Sequence, residues 1–299
     1  MTRPTNSLRG FTLIEMIMVI VITGVIAGMV AVFIKGPVDS YFDMARRAEL
    51  TDIADTAMRR MTRDIRLALP NSVRNAPGTD QCIEFMPTKS GGRYRADQTA
   101  ALTGDILDFT ATDASFDMLG LNGSLPASSQ IAPGDVVVVF NDGSTSGNAY
   151  TGANAVQIAA AGVTAGDTAN TTKLSFVAAG ATIFARKLFP SASPANRFQV
   201  LPSTEQVVSF ACSGGTLFRY SRNVAALAAW PQPATCAAMT AGATAAILAS
   251  HVSSCSILYQ PPGSGSGAGR FGIVSISLAA TESGETVNLY HQVHVDNTP

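Results

Sequence analysis

Charge is what this chain has least of. Of 299 residues only 14% are Asp, Glu, Lys or Arg, and 20 basic side chains nearly cancel 21 acidic ones. No basic excess exists to track a phosphate backbone, so the balance argues for no nucleic acid as a partner. Histidine is scarce, with only His251, His291 and His294. The last two stand three apart in a strand-like run, so they face opposite sides and cannot easily share a metal. The single tryptophan, Trp230, lies beside Pro231 and Pro233, and no aromatic cluster marks a sugar site. No nucleophile elbow, phosphate loop or zinc-protease motif occurs. These gaps leave no catalytic residue, no metal site and no cofactor to nominate, and the chain reads as something other than an enzyme.

Cysteine is also sparse: Cys82, Cys212, Cys236 and Cys255. Their spacing lacks the short paired intervals of a zinc site. Two disulfides are expected if the compartment is oxidising, and four cysteines allow three connectivities that the sequence does not choose among.

What the chain does have is one long apolar run, residues 16–34, preceded by Gly10-Phe11-Thr12-Leu13-Ile14-Glu15. As a helix, residues 11–34 reach about 36 Å, against about 30 Å of hydrocarbon. Arg3 and Arg9 precede the run with no acid between them. Basic flanks stay cytoplasmic, which puts the N-terminus inside and all four cysteines on the far, oxidising side; Lys35 is a weak opposing signal. Glu15 lies within the apolar segment. A carboxylate held in lipid is costly and usually has a partner, which makes Glu15 a functional candidate.

Three readings compete for this segment. A secretory signal would be cut after its apolar core; Ala27 and Gly28 are small enough, but the run continues past them. A plain membrane anchor fits the length and leaves Glu15 and the Gly10-Phe11 step unexplained. The third reading is a resemblance. The basic leader, the Gly10-Phe11 step, Glu15, Gly24 and the long apolar run closely resemble the prepilin leader of type IV pilins and type II secretion pseudopilins. That resemblance implies cleavage by a prepilin peptidase between Gly10 and Phe11, N-methylation of Phe11, and a role for Glu15 in setting the register of staggered helices. Two charges that are expensive alone in lipid cost less as a pair, so Glu15 would face the new amine of a neighbouring subunit.

Beyond the membrane, residues 38–69 continue as an amphipathic helix. Val38, Phe42, Ala45, Leu50, Ile53, Ala57, Met61, Ile65 and Ala68 recur at near-helical spacing, and Pro70 ends the pattern. Asp55 with Arg59, and Arg60 with Asp64, stand four apart and can pair. Gly36-Pro37 is expected to break the helix between its halves. Arg59, Arg60, Arg63 and Arg66 are interleaved with acids and lack stacking aromatics, which suits a subunit contact better than nucleic acid.

Residues 71–299 read as one β-rich domain, with eleven basic against fourteen acidic side chains. Strands are expected at 83–86, 135–140, 173–177, 206–212, 216–221, 256–260, 271–278 and 286–295. Ser213-Gly214-Gly215 suggests a hairpin, and the last three strands an antiparallel meander. Residues 141–172 and 261–269 look irregular, with little to add to a core. Asn141-Asp142-Gly143 and residues 91–95 read as turns, the latter with solvated arginines. The expected architecture is α+β and pilin-like: a leader (1–10), a transmembrane helix (11–37), an amphipathic helix (38–70) and an antiparallel β-rich periplasmic domain (71–299) packed on that helix.

The blocks 45–50 and 63–74 further resemble one group, the MshO-type biogenesis proteins of the mannose-sensitive haemagglutinin (MSHA) pilus. The resemblance is strong to about Arg74, patchy beyond, and implies a minor pilin. Its partners would be other pilin-like subunits, the prepilin peptidase, the inner-membrane assembly machinery and the lipid bilayer. Its place would be the inner membrane as a single-pass protein, then the pilus, near its tip. Tip-most K-type pseudopilins lack the acid that Glu15 supplies, which argues against a final cap. The alternatives are a J-type pseudopilin of type II secretion and an adhesin or ligand-binding module on a pilin stem.

Overall fold

The structure, a computed structural model, describes residues 10–180, 182–263 and 271–299. Arg3, Arg9 and most of the expected 261–269 loop lie outside the described residues. The chain divides into two compact units with the boundary between Glu49 and Leu50. One helix, α1 (Leu13–Arg66), supplies most of the first unit and the opening of the second.

Behind α1 come β1 (Arg74–Asn75), β2 (Cys82–Phe85), β3 (Ser90–Arg93), β4 (Ser115–Leu119), β5 (Val136–Val138), β6 (Ala155–Ala165) and β7 (Thr171–Phe176). Next are β8 (Arg197–Leu201), β9 (Val207–Ser213), β10 (Thr216–Arg222), the short helix α2 (Cys236–Thr240) and β11 (Thr244–Ala249). The chain closes with β12 (Val252–Gln260), β13 (Phe271–Glu282) and β14 (Glu285–Asp296). The strands form three sheets, ordered β1-β2-β9-β10-β11, β12-β13-β14 and β3-β8-β5-β6-β7-β4, with every pair antiparallel. This is the expected α+β, pilin-like architecture.

In the second unit α1 buries Ala54, Ala57, Met58, Met61 and Ile65 against Ile83, Phe85 and Phe210 of one sheet and Ile276 and Val293 of another. The alanines allow close approach and the longer side chains fill the space between the sheets. Arg219 on β10 fixes the contact. It donates to Asp64 on α1 at 2.9 Å and to Glu205 at 2.8 and 3.1 Å. The expected Arg60–Asp64 pair is therefore not the one formed, because Asp64 is taken by Arg219. Asp55 and Arg59 do pair, at 2.7 Å.

Three further expectations on the helix and loops are corrected. First, α1 runs through Gly36-Pro37 without interruption. Proline forgoes one bond and the neighbouring turns keep theirs. Second, burial on the helix stripe begins at Leu50, whereas Val38, Phe42 and Ala45 are exposed. Third, residues 141–172 are irregular only in part, over 141–154 and 166–170. They hold the eleven-residue strand β6, whose Ala155, Val156 and Ile158 are buried. Alanine and threonine hid a strand whose large apolar positions are few.

The six-stranded sheet closes on itself. Its two end strands, β3 and β4, meet through the Tyr94–Met118 bridge and an Arg95 N–H to Asp117 carbonyl bond of 2.9 Å. Inside lie Tyr94, Phe116, Phe176, Phe189 and Phe198, with edge-on ring contacts such as Phe116–Phe198 at 5.2 Å. Residues 91–95 are accordingly not a solvated turn. Gly91 and Gly92 are strand residues whose absent Cβ atoms would strike Phe198, and Tyr94 is buried. β5 is buried on both faces: Val137 faces the ring cluster, while Val136 and Val138 pack with Leu69, Tyr150 and Leu201.

The expected hairpins hold. Gly214 and Gly215, with φ of 56° and 75°, turn β9 into β10, a geometry that suits glycine. β12, β13 and β14 form the meander. Asn141 serves its turn internally: its side chain donates to the Pro70 carbonyl at 2.6 Å and accepts from the Ala149 N–H at 2.9 Å.

Two disulfides staple this unit. Cys82–Cys236 ties β2 to α2, and Cys212–Cys255 ties β9 to β12 across two sheets. Non-reducing peptide mapping should return these two pairs and no free thiol. Removing a bridge by a double Cys→Ala change should cost about 2–5 kcal/mol in denaturant unfolding. The Cys82–Cys236 bridge spans 154 residues against 43 for the other, so its loss should cost about 1 kcal/mol more. Equal or reversed costs would contradict the loop-closure account.

A buried ion pair anchors the segment around Trp230. Glu84 on β2 is fully buried and accepts from Arg74 Nε at 2.6 Å and from Trp230 Nε1 at 3.3 Å. Arg74 lies over the Tyr150 ring, 3.5 Å from its centroid, and donates to the Trp230 and Pro231 carbonyls. Burial raises the Glu84 carboxyl above its usual value, and Arg74 opposes that rise. A raised folded-state value means that stability is full below the unfolded carboxyl range and declines as pH rises through the folded value. Arg74→Met leaves the carboxylate buried and unpaired. It should cost about 3–5 kcal/mol at pH 7, and that cost should shrink as pH falls and Glu84, its carboxyl raised further by the loss of Arg74, takes up its proton. A cost independent of pH would show that only the lost carbonyl bonds matter.

Candidate functional site

The residues singled out at the N-terminus fall in the first unit. Gly10 and Phe11 precede α1, and Phe11 is 84% exposed. From Leu13 to Ile34 the large apolar side chains all face outward, with no part of the described chain covering them. The segment contains a window long and apolar enough to cross a membrane. Hydrocarbon is the solvent such a surface fits.

Glu15 is not isolated in its own chain. Thr12 is the residue before the first helical turn and Glu15 is the third within it. Glu15 Oε2 accepts from the Thr12 backbone N–H at 3.0 Å and from its hydroxyl at 2.9 Å. The Glu15 N–H points back to Thr12 Oγ1 at 3.4 Å. This reciprocal pair is a capping box. It satisfies two backbone donors that a helix start otherwise leaves open, which matters most where no water is at hand. The second oxygen, Oε1, makes no hydrogen bond among the described residues. Thr12 is therefore the site residue that the sequence reading missed. Its signal was present, since Thr-x-x-Glu before an apolar run is the capping-box pattern.

The geometry thus places the Gly10-Phe11 step, a capped helix start and a half-engaged carboxylate within six residues. A family model, the prokaryotic N-terminal methylation motif, matches residues 6–31. The N-terminal segment carries a prepilin-type methylation motif. The match covers Gly10, Phe11, Thr12, Glu15 and Gly24, and it supports a pilin-type, membrane-anchored structural subunit. No curated protein and no solved structure matches the chain.

The other nominated residues lie elsewhere. The four cysteines are bridged in the second unit, and Gly36 and Pro37 are exposed helical residues. Asp142 is exposed and accepts from the Ser144 N–H. No group of three or more His, Cys, Asp or Glu positioned to hold a metal occurs among the described residues.

The capping box gives a direct expectation. Thr12→Val keeps the side-chain shape and removes the hydroxyl. Amide exchange of residues 12–16 in detergent micelles should accelerate, and Thr12→Ser should restore the slow rate. Unchanged exchange in Thr12→Val would show that the helix start does not rely on the box.

Proposed function

We propose that this chain is a minor pilin-type structural subunit of an MSHA-type type IV pilus, of the MshO type. Its precursor is cut by a prepilin peptidase between Gly10 and Phe11, and Phe11 is then N-methylated. The observation that carries the reading is the methylation motif over residues 6–31 running directly into an outward-facing apolar helix. The finer assignment rests on the resemblance of residues 45–50 and 63–74 to MshO-type proteins.

In this reading the bilayer holds the apolar part of α1, and the disulfide-bonded second unit lies in the periplasm. Cleavage creates an amine on Phe11 at the cytoplasmic edge. The capping box holds the Glu15 side chain near that edge while Oε1 stays open. The amine of a neighbouring pilin-like subunit is a chemically matched partner for Oε1, and pairing sets the axial register of adjacent helices. Inner-membrane assembly machinery then draws the subunit into the filament, near its tip. Exposed Val38, Tyr41, Phe42 and Met44 add apolar surface that neighbouring helices can cover.

Mass spectrometry of membrane-extracted protein should show a chain beginning at methylated Phe11. A start after Ala27 would overturn the reading in favour of an ordinary secretory signal. Gly10→Val should leave the precursor uncut. Glu15→Ala should insert and be cleaved normally yet be lost from sheared filaments. Normal assembly of that variant would show that register comes from other contacts. Deleting the gene should abolish filaments; intact filaments that no longer adhere would point instead to an adhesin.

A further inference from the structure

Among the described residues, every long sheet edge in the second unit is closed, covered or short, with one exception. β3 and β4 close against each other through the Tyr94–Met118 bridge. The outer edge of β12 is occupied, because Ile257 N–H donates to the Asp80 carbonyl and Tyr259 N–H to Asn75 Oδ1. β1 has two residues, and β11 has six, with a bulge in its pairing. β14 is different. It has twelve residues and pairs with β13 without a register shift from Glu285 to Asp296, and no described strand covers its other side. It carries no proline, no lysine and no bulge, the devices that ordinarily keep a free edge from pairing.

A groove of about 580 Å³ runs between this strand and α1. Met58 and Leu289 give it an apolar floor, and Tyr290 stands 65% exposed beside it. Thr62 contributes a hydroxyl oxygen that is buried and has no hydrogen-bond partner. Arg63 and Arg66 reach the same groove, and both are exposed. The carboxylate nearest Arg63 is Asp64 at 3.9 Å, and Arg219 holds that group more closely, at 2.9 Å. No ion pair to Arg66 occurs among the described residues. The groove is therefore apolar at its base and basic at its rim, where the lining acid Asp55 is already paired with Arg59 at 2.7 Å, and it is bounded by a strand edge that no described strand covers.

We propose that β14 accepts an added strand from a partner protein, and that this strand is acidic at alternate positions. Main-chain bonds to the β14 edge supply the affinity. Side chains on one face of an added strand point the same way, so alternate acids meet Arg63 and Arg66 while the strand covers Met58, Thr62 and Leu289. The proposal does not depend on processing at Gly10 or on the filament reading.

The test uses the full chain in detergent micelles and two blocked peptides, one alternating threonine and glutamate, the other threonine and lysine. Fluorescence anisotropy should show saturable binding of the glutamate peptide alone. Hydrogen exchange should slow at alternate amides of β14 and not in β11. Arg63→Gln with Arg66→Gln should weaken binding by about tenfold with at most a small drop in melting temperature, since both side chains are exposed and lie in the last turn of α1. Absence of glutamate-peptide binding, equal binding of the lysine peptide, or binding without β14 protection would each overturn the proposal. So would a protein that already dimerises through a protected β14, which would make a second copy the occupant.

Discussion

Packing of α1 residues 54–65 between two sheets is the contact on which the second unit depends. Ala54 and Ala57 let the sheets approach, and Met61 and Ile65 fill the space that results. Apolar burial alone leaves a helix free to slide along such a surface, because it is not directional. Arg219 supplies direction. Its guanidinium bridges Asp64 on the helix and Glu205 before β9, and it holds the Glu205 carboxyl below its usual range. A lowered folded-state value means that this contribution is present above the ordinary carboxylate range and is lost as pH falls through the lowered value. The Cys212–Cys255 bridge crosses the same seam between the five-stranded and three-stranded sheets.

The six-stranded sheet solves a separate problem. A sheet of this size exposes two edges unless it is closed or covered. Closure through Tyr94 and Met118 removes both edges and encloses a cluster of aromatic rings. β5 is then buried from both sides, which is why its sequence is an unbroken run of valine rather than an alternating one. Against that background β14 stands out as a long end strand whose outer side no described strand covers.

At the N-terminus the governing constraint is the cost of a charge and of open backbone donors in an apolar segment. Thr12 and Glu15 meet both needs at once. The carboxylate satisfies the Thr12 N–H, and the hydroxyl faces the Glu15 N–H. The box uses one carboxylate oxygen and leaves the other open, so helix capping and pairing with a second chain are compatible uses of the same side chain.

The N-terminal segment was legible in the sequence because its signals are local. A length of apolar residues, a Gly-Phe step and an acid at fixed spacing all lie within about thirty positions, and lipid solvation depends on composition more than on partners. The hairpin at Gly214-Gly215 and the final meander were legible for the same reason. The tertiary structure decided what depends on distant residues. It chose Arg219 over Arg60 as the partner of Asp64, paired Cys82 with Cys236 and Cys212 with Cys255, and made strands of residues 90–93 and 155–165. Glycine, alanine and threonine there carry almost no pattern of their own, and only the neighbouring strands and the buried rings make their extended form the favoured one.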